Sequence, residues 1–222
     1  MRAFITGTDT GVGKTYFAVL LAGALRRAGW DVMAFKPVCC GGRDDAVALR
    51  EASGCGLSLE DVNPLWFPDP VAPASASAQP SWSLDNLAGR ILAMAGQSRP
   101  VLVEGAGGWL VPLNARETMA DLATRLGYPV IIVVPNRLGC LNHTLLTLES
   151  IRARGLACHG IVLNSGLPGT QGDGSQASNR RLLEMTTGLP VLTEIFASQT
   201  ALQGATEAEG ISLHRFFSKS VA

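Results

Sequence analysis

The sequence has no excess of charge of either sign and no long hydrophobic run. Its 222 residues include 18 Lys and Arg and 18 Asp and Glu, so the formal net charge is zero. A balanced charge gives no electrostatic reason to expect nucleic acid or a membrane surface as a partner. The longest purely aliphatic stretch runs from Val130 to Val134, far short of the roughly 20 residues that cross a bilayer. With no signal-like N-terminus, these absences predict a soluble, cytoplasmic protein.

Metal-binding and disulfide patterns are also missing. The cysteine count is odd, no CxxC pair occurs, and the cysteines and histidines do not show the spacing of zinc ligands. We therefore expect reduced thiols, as in a cytosolic protein. The five cysteines are Cys39, Cys40, Cys55, Cys140 and Cys158.

Hydrophobic residues make up 47% of the chain and charged residues 16%, which is typical of a well-packed globular enzyme. Runs with strand character alternate with runs of helical periodicity, and we interpret 1–222 as one domain. This alternation predicts an α/β fold in which helices flank both faces of a mostly parallel, doubly wound sheet. The expected strands are 2–6, 32–38, 101–104, 130–134, 160–164 and 190–195; the expected helices are 14–28, 45–52, 84–95, 118–126, 142–154, 178–187 and 200–218; and 54–81 is expected to be a long ordered loop.

A glycine-rich stretch, Gly7 to Thr15, lies between the first strand and the first helix. It ends in Gly-Lys-Thr, as a P-loop does, in which backbone N–H groups cradle phosphates, the lysine reaches the terminal phosphates and the hydroxyl ligates Mg²⁺. Five residues rather than the usual four follow Gly7 before Gly13-Lys14, so the assignment depends on the strand–turn–helix context. The alternative is a plain turn with a solvated Lys14. We predict the P-loop NTPase fold, with nucleotide bound by Gly11, Val12, Gly13, Lys14, Thr15 and Tyr16.

Further polar residues follow other predicted strands, at the sheet edge where α/β proteins bind ligands. Glu104 can hold Mg²⁺ opposite Thr15, and either Asp44 or Asp45 can add a second carboxylate. Lys36 adds positive charge, which suits an anionic phosphoryl acceptor; the alternative is an exposed strand-end lysine.

Two more segments can contact ligands. Asn164 can read a base edge through its amide, or it can be a turn asparagine. The stretch 139–142 enters a helix whose free N–H groups suit an anionic substrate tail. Capping by Asn142 is compatible with that role.

Four motifs occur in order along the chain. They are Gly7-Thr8-Asp9-Thr10 before Gly-Val-Gly-Lys-Thr, Lys36-Pro37-Val38, Glu104 to Trp109, and Leu138 to His143. In these motifs and in their order, the chain resembles the dethiobiotin synthetase family. The resemblance covers residues 4–164 and is weaker after about 165. It implies an ATP- and Mg²⁺-dependent ligase of biotin synthesis that closes a ureido ring on 7,8-diaminononanoate with CO₂, through a carbamate and a carbamic-phosphoric anhydride.

The resemblance also implies roles for individual residues, and it favours Asp45 over Asp44. It further implies a homodimer with the site at the interface. The implied catalytic residues are Lys36, Lys14 and Thr10; the metal ligands are Thr15, Asp45 and Glu104; nucleotide is also bound by Gly105, Ala106, Gly107 and Asn164; and substrate is bound by Cys40, Gly139, Cys140, Leu141 and Asn142.

The chain departs from the family pattern at three places. Cys40 stands where many members have a serine that contacts substrate, and a thiol is a poorer hydrogen-bond donor. Gly11 stands where some members have glutamate. Phe196-Ala197 stand where the family usually has a proline near the nucleotide base, so base selectivity is open.

Two other classes share this loop. A partitioning-type switch ATPase carries an extra lysine early in the P-loop, whereas Asp9 and Thr10 are found here, and it acts on DNA or membrane, which the balanced charge does not favour. A glutamine-dependent amidoligase needs a glutaminase domain, for which 222 residues leave no room.

Overall fold

A computed structural model describes residues 2–76, 81–96, 99–168, 170, 172–200 and 202. Its centre is a six-stranded sheet in the order β2-β5-β1-β6-β7-β8, and all paired strands run parallel. The P-loop follows β1, which lies inside this sheet. The strands are β1 (Arg2–Gly7), β2 (Met33–Phe35), β3 (Val38–Cys40), β4 (Leu65–Phe67), β5 (Val101–Glu104), β6 (Val130–Pro135), β7 (Cys158–Asn164) and β8 (Val191–Ile195).

Helices connect the strands, as the alternating pattern predicts, and the predicted α/β class with a doubly wound parallel sheet is confirmed. The predicted helix over 200–218 lies outside the described residues except for 200 and 202. The helices are α1 (Lys14–Arg27), α2 (Asp44–Ser53), α3 (Leu59–Val62), α4 (Leu84–Ala95), α5 (Met119–Leu126), α6 (Cys140–Ala153) and α7 (Gln176–Thr187), with a 3-10 turn over Pro73–Ser75.

The core has two halves because neighbouring strand residues point to opposite faces of the sheet. On β1, Ile5 packs with α1 and α2, whereas Phe4 packs with α4, α5 and α6. Helices thus cover both faces, and the strands β5, β6 and β7 are buried at every residue. Within the described residues, no helix combines the length and apolar character needed to cross a membrane.

The prediction of one strand over 32–38 was wrong. The main-sheet strand ends at Phe35, and the chain then leaves the sheet at Lys36-Pro37. Proline has no N–H to continue a ladder, and the Lys36 N–H donates instead to the Val62 carbonyl at 3.0 Å. Strand β3 then pairs with β4 in a separate two-stranded parallel sheet. The expected loop over 54–81 therefore contains α3, β4 and the 3-10 turn.

Candidate active site

The P-loop turn needs glycine at two positions. Gly11 and Gly13 have φ angles of 72° and 94°, a left-handed conformation that other residues rarely adopt. Gly13 is also the N-cap of α1 and offers no side chain to pair with the first N–H groups of the helix. Those N–H groups are free to bind an anion, helped by the helix dipole.

Lys14 is buried at the start of α1, and its Nζ donates to the Asp9 carbonyl at 3.0 Å. Burial, followed by the nearby charge of Lys36, lowers the pKa of Lys14 from 10.5 to about 8. A bound phosphate would add negative charge beside Lys14 and raise its pKa again.

Glu104 ends β5 and is completely buried. Its Oε1 accepts a hydrogen bond from Thr15 Oγ1 at 2.7 Å and forms an ion pair with Lys36. Its Oε2 is buried without a hydrogen-bond partner. An unpaired buried carboxylate oxygen is costly unless a ligand satisfies it.

Lys36 links the carboxylates of the site. Its Nζ lies 3.3 Å from Asp45 Oδ2 and donates to the Gly105 carbonyl at 3.3 Å. Burial by itself lowers the pKa of Lys36, but Glu104 and then Asp45 outweigh it and raise the pKa above 10.5. Lys36 is therefore a buried cation and not the exposed strand-end lysine of the alternative interpretation.

The described residues include no cluster of three or more His, Cys, Asp or Glu side chains that could hold a metal by themselves. What they offer is a hydroxyl and two carboxylates, from Thr15, Glu104 and Asp45. This set fits Mg²⁺, which usually binds one or two carboxylates and takes its other ligands from phosphates and water. The strongest support for this fit is Glu104 Oε2, a buried oxygen without a hydrogen-bond partner that a metal ion would satisfy.

Two adjoining cavities meet at Lys36. One, of about 270 Å³, is lined by P-loop residues together with Lys36, Asp45 and Glu104. The other, of about 330 Å³, extends past Cys40 along an apolar wall. Thr10, Lys36, Asp45 and Gly107 line both. The apolar wall consists of Val38, Pro70, Val71, Ala72, Pro73, Ala106 and Val111.

Sequence reasoning did not identify most of this wall. The unusual length of the 54–81 segment hinted at a function, but no motif marked Pro70 to Pro73. Cys40, which the sequence did single out, lines the larger cavity, and burial raises the pKa of its thiol. It therefore lies there as a neutral thiol.

Asn164 is buried and uses both ends of its amide within the protein. Its Nδ2 donates to the Val12 carbonyl at 3.0 Å, and its Oδ1 accepts from the Gly166 N–H at 3.0 Å. The side chain thus ties the end of β7 to the P-loop. An added Cβ on Gly13 would lie 2.2 Å from Asn164 Nδ2, so the two residues are in intimate contact.

The segment 139–142 forms the start of α6, but it is not among the residues that line the cavities described above. Gly139 is the N-cap with φ 90° and no side-chain cap, so Asn142, which lies within the first helical turn, is not the capping residue. Nearby leucines project outward, and Leu138 is 80% exposed and Leu146 58%. A third cavity, of about 210 Å³, separates the P-loop from Arg137 and Thr170.

Comparison with known proteins gives close sequence relatives. A family model described as an AAA domain matches residues 1–200. The ATP-dependent dethiobiotin synthetase BioD of Akkermansia muciniphila is 40% identical over 202 residues, covering 90% of this chain and 94% of the relative. The protein of the same name from Anaeromyxobacter sp. (strain K) is 49% identical over 167 residues, covering 72% of this chain and 75% of the relative.

Two solved structures that share this fold are more distant in sequence. A ParA family ATPase from Chlorobium tepidum aligns with a TM-score of 0.57 at 17% identity, covering 99% of this chain and 93% of its own. The cell division ATPase MinD of Pyrococcus furiosus gives 0.57 at 19% identity, with coverages of 88% and 83%. These two similarities show the fold alone.

Proposed function

The chain belongs to the dethiobiotin synthetase family, and from that premise we propose that it converts 7,8-diaminononanoate, CO₂ and ATP to dethiobiotin, ADP and phosphate. One amine adds to CO₂ and loses a proton to give a carbamate. A carbamate oxygen attacks the γ-phosphorus of ATP, and ADP leaves. The second amine attacks the carbonyl carbon of the mixed anhydride, loses a proton, expels phosphate and closes the ureido ring.

The observation that carries this proposal is the position of Lys36 between the two cavities. A cation at that junction can contact the transferred phosphoryl group and the carbamate at once. Phosphoryl transfer depends chiefly on positioning and on neutralising such charge. We propose Lys36, Lys14 and Thr10 as the catalytic residues, and Thr10 also lines both cavities.

The reaction takes ATP as co-substrate and Mg²⁺ as cofactor. When bound, Mg²⁺ neutralises phosphate charge and orients the β- and γ-phosphates. We propose that Thr15, Asp45 and Glu104 hold it. The remaining nucleotide contacts proposed are Gly11, Val12, Gly13, Tyr16, Gly105, Ala106, Gly107 and Asn164.

The larger cavity suits the diamine. Its apolar wall matches an aliphatic chain, because burying each methylene is favourable by about 0.8 kcal/mol. Its polar end, at Lys36 and Cys40, matches the end of the substrate that reacts. We propose that Cys40 contacts the substrate at that end.

The carboxylate of the substrate needs a second site. We propose that Gly139, Cys140, Leu141 and Asn142 bind it across a homodimer interface. The exposed leucines beside the α6 N-terminus support such an interface, since an apolar surface next to an anion site favours association. We further propose one domain over 1–222 and a cytoplasmic location.

The deciding experiment is incorporation of labelled bicarbonate into a ureido product, with ADP release measured in parallel. We expect ADP only when diaminononanoate and bicarbonate are both present. ATP turnover that is stimulated by DNA or lipid and indifferent to the diamine would instead establish a partitioning-type switch ATPase. The P-loop does not favour that class, because Asp9 stands where such a protein has its extra lysine and Thr10 stands where it has the following glycine.

A further inference from the structure

One side chain ties the turn after β8 to the helix after the P-loop. The hydroxyl oxygen of Tyr16 lies 2.9 Å from the Phe196 carbonyl oxygen and 2.8 Å from that of Gln199. Its single hydrogen can bond either carbonyl or be shared between them. The hydroxyl therefore bridges the two ends of the turn over 196–199.

The turn has an unusual backbone that needs such support. Ser198 has φ 59°, the only positive φ at a non-glycine position among the described residues. Residues in this region carry a conformational cost that the surroundings must offset. Inside the turn, the Phe196 N–H donates to Gln199 Oε1 at 3.0 Å.

The other side of the turn rests against the end of β7. An added Cβ on Gly166 would lie 2.2 Å from the Ala197 nitrogen. Gly166 in turn donates its N–H to Asn164, which holds the Val12 carbonyl. Contacts thus run from the P-loop through Asn164 and Gly166 to the turn, and return through Tyr16 to α1.

This turn adjoins the P-loop cavity through Tyr16, which lines that cavity. The reacting phosphate faces Lys36, because the carbamate cavity begins there. On the proposed function, the rest of the nucleotide must leave Lys36 on the side of the cavity that Tyr16 lines. The turn carries peptide groups and Gln199 Nε2, which is buried without a hydrogen-bond partner and which an acceptor on a base edge would satisfy.

We infer that Tyr16 is a positioning residue for nucleobase selectivity: its hydroxyl fixes the 196–199 turn so that the turn fits adenine better than other bases. The identity of the preferred base rests on the proposed function. Selectivity is a difference between two affinities, so a turn that is free to adjust would accept adenine and its competitors more equally.

Tyr16→Phe tests this, because it removes only the hydroxyl. Titration of the full chain with MgADP, MgGDP, MgCDP and pyrophosphate, without diamine, measures base and phosphate recognition separately. We expect the ratio of ADP to GDP affinity to fall about three- to tenfold, the effect of one lost hydrogen bond. Pyrophosphate affinity should not change.

Tyr128→Phe is the matched control. Tyr128 is the other of the two tyrosines in the chain, and it belongs to the core on the opposite face of the sheet from Tyr16. We expect it to leave every affinity unchanged. Gly166→Ala pushes the same turn from its other side and should reproduce the effect of Tyr16→Phe.

Three results would overturn the inference. The first is no base preference in the unmodified protein, and the second is a ratio of ADP to GDP affinity in Tyr16→Phe within twofold of the unmodified value. The third is an equal loss of affinity for ADP, GDP and pyrophosphate, which would mark a purely structural role. Failure of the proposed function looks different. If the proposed function is wrong, the unmodified chain makes no ureido product, but the ratios of nucleotide affinities still support or overturn the role of Tyr16.

Discussion

Lys36 and Glu104 form an ion pair from which water is almost completely excluded, with side-chain exposures of 5% and 0%. A buried pair of this kind contributes little to stability when it is compared with apolar residues. Its value lies in function, because it holds a charged lysine and a carboxylate at the junction of the two cavities.

The first prediction concerns the charge of Lys36. Lys36→Ala should lower the rate of dethiobiotin formation by at least about a hundredfold, because a group that stabilises transferred charge is lost. The affinity for MgADP should stay within about threefold, since the P-loop is intact. Rapid-quench measurement of product and a binding titration give the two quantities.

Lys36→Met is the companion variant, because it keeps most of the side-chain volume without the charge. It should lose product formation to the same extent. Both variants leave Glu104 buried without its cation, which costs about 3–5 kcal/mol in comparable cases, so thermal unfolding must be recorded. A collapse of MgADP binding in a folded variant would place Lys36 in the nucleotide site instead.

The second prediction concerns contact between the P-loop and β7. Gly13→Ala should lower MgADP affinity by more than about tenfold, because the new Cβ meets Asn164 Nδ2 at 2.2 Å in addition to the backbone strain at φ 94°. Gly11→Ala is the matched variant, with φ 72° and no atom within 4 Å of the new Cβ. It should cost less, by the strain alone.

The double variant Gly13→Ala/Asn164→Ala separates the two causes. If the contact with Asn164 is responsible, removing that side chain should recover part of the lost affinity. Equal affinities for Gly11→Ala and Gly13→Ala would show that the contact does not matter.

The third prediction is a proton uptake. In the free protein the pKa of Lys14 is about 8, lowered by burial and by Lys36. A bound phosphate raises that pKa, so above about pH 8 nucleotide binding must bring a proton with it. The affinity for MgADP should therefore fall as the pH rises from 8 to 10.

Calorimetry in two buffers of different ionisation enthalpy measures this uptake directly. We expect close to no uptake at pH 7 and a substantial fraction of one proton at pH 8.5 to 9. The stability of the free protein should rise with pH over this range, whereas the affinity for MgADP falls. The unfolded chain keeps the Lys14 proton up to about pH 10.5, so this residue makes the free energy of unfolding rise between pH 8 and 10.5. Binding without proton uptake at pH 9 would contradict the lowered pKa.

The fourth prediction concerns association. Leu138→Asp should convert a dimer to monomers in light-scattering measurements and raise the KM for diaminononanoate, with MgADP affinity unchanged. The reason is that a charge on this 80% exposed leucine opposes burial at the proposed interface. Met185→Asp, on α7 and 67% exposed, is the control that should do neither. A monomeric, fully active unmodified protein would rule out the shared site.

The sequence by itself determined the fold class of this protein and the position of its P-loop. Alternation of strand and helix patterns fixes the α/β class, because a parallel sheet needs a crossover between successive strands. Gly13, Lys14 and Thr15 also needed no structure to be recognised, since a P-loop is a local device. Its parts are neighbours in sequence, and their chemistry follows from residue type.

Tertiary structure decided what depends on distant pairs. The residue types alone do not choose between Asp44 and Asp45; the family resemblance favours Asp45, and the fold places Asp45 Oδ2 3.3 Å from Lys36 Nζ. The departure of the chain from the main sheet at Pro37, the wall over 70–73 and the link from Tyr16 to a turn 180 residues away are likewise set by packing between segments far apart in sequence. Local sequence patterns do not predict such contacts, because the energy of the contacts comes from burial and hydrogen bonds that exist only once the chain is folded.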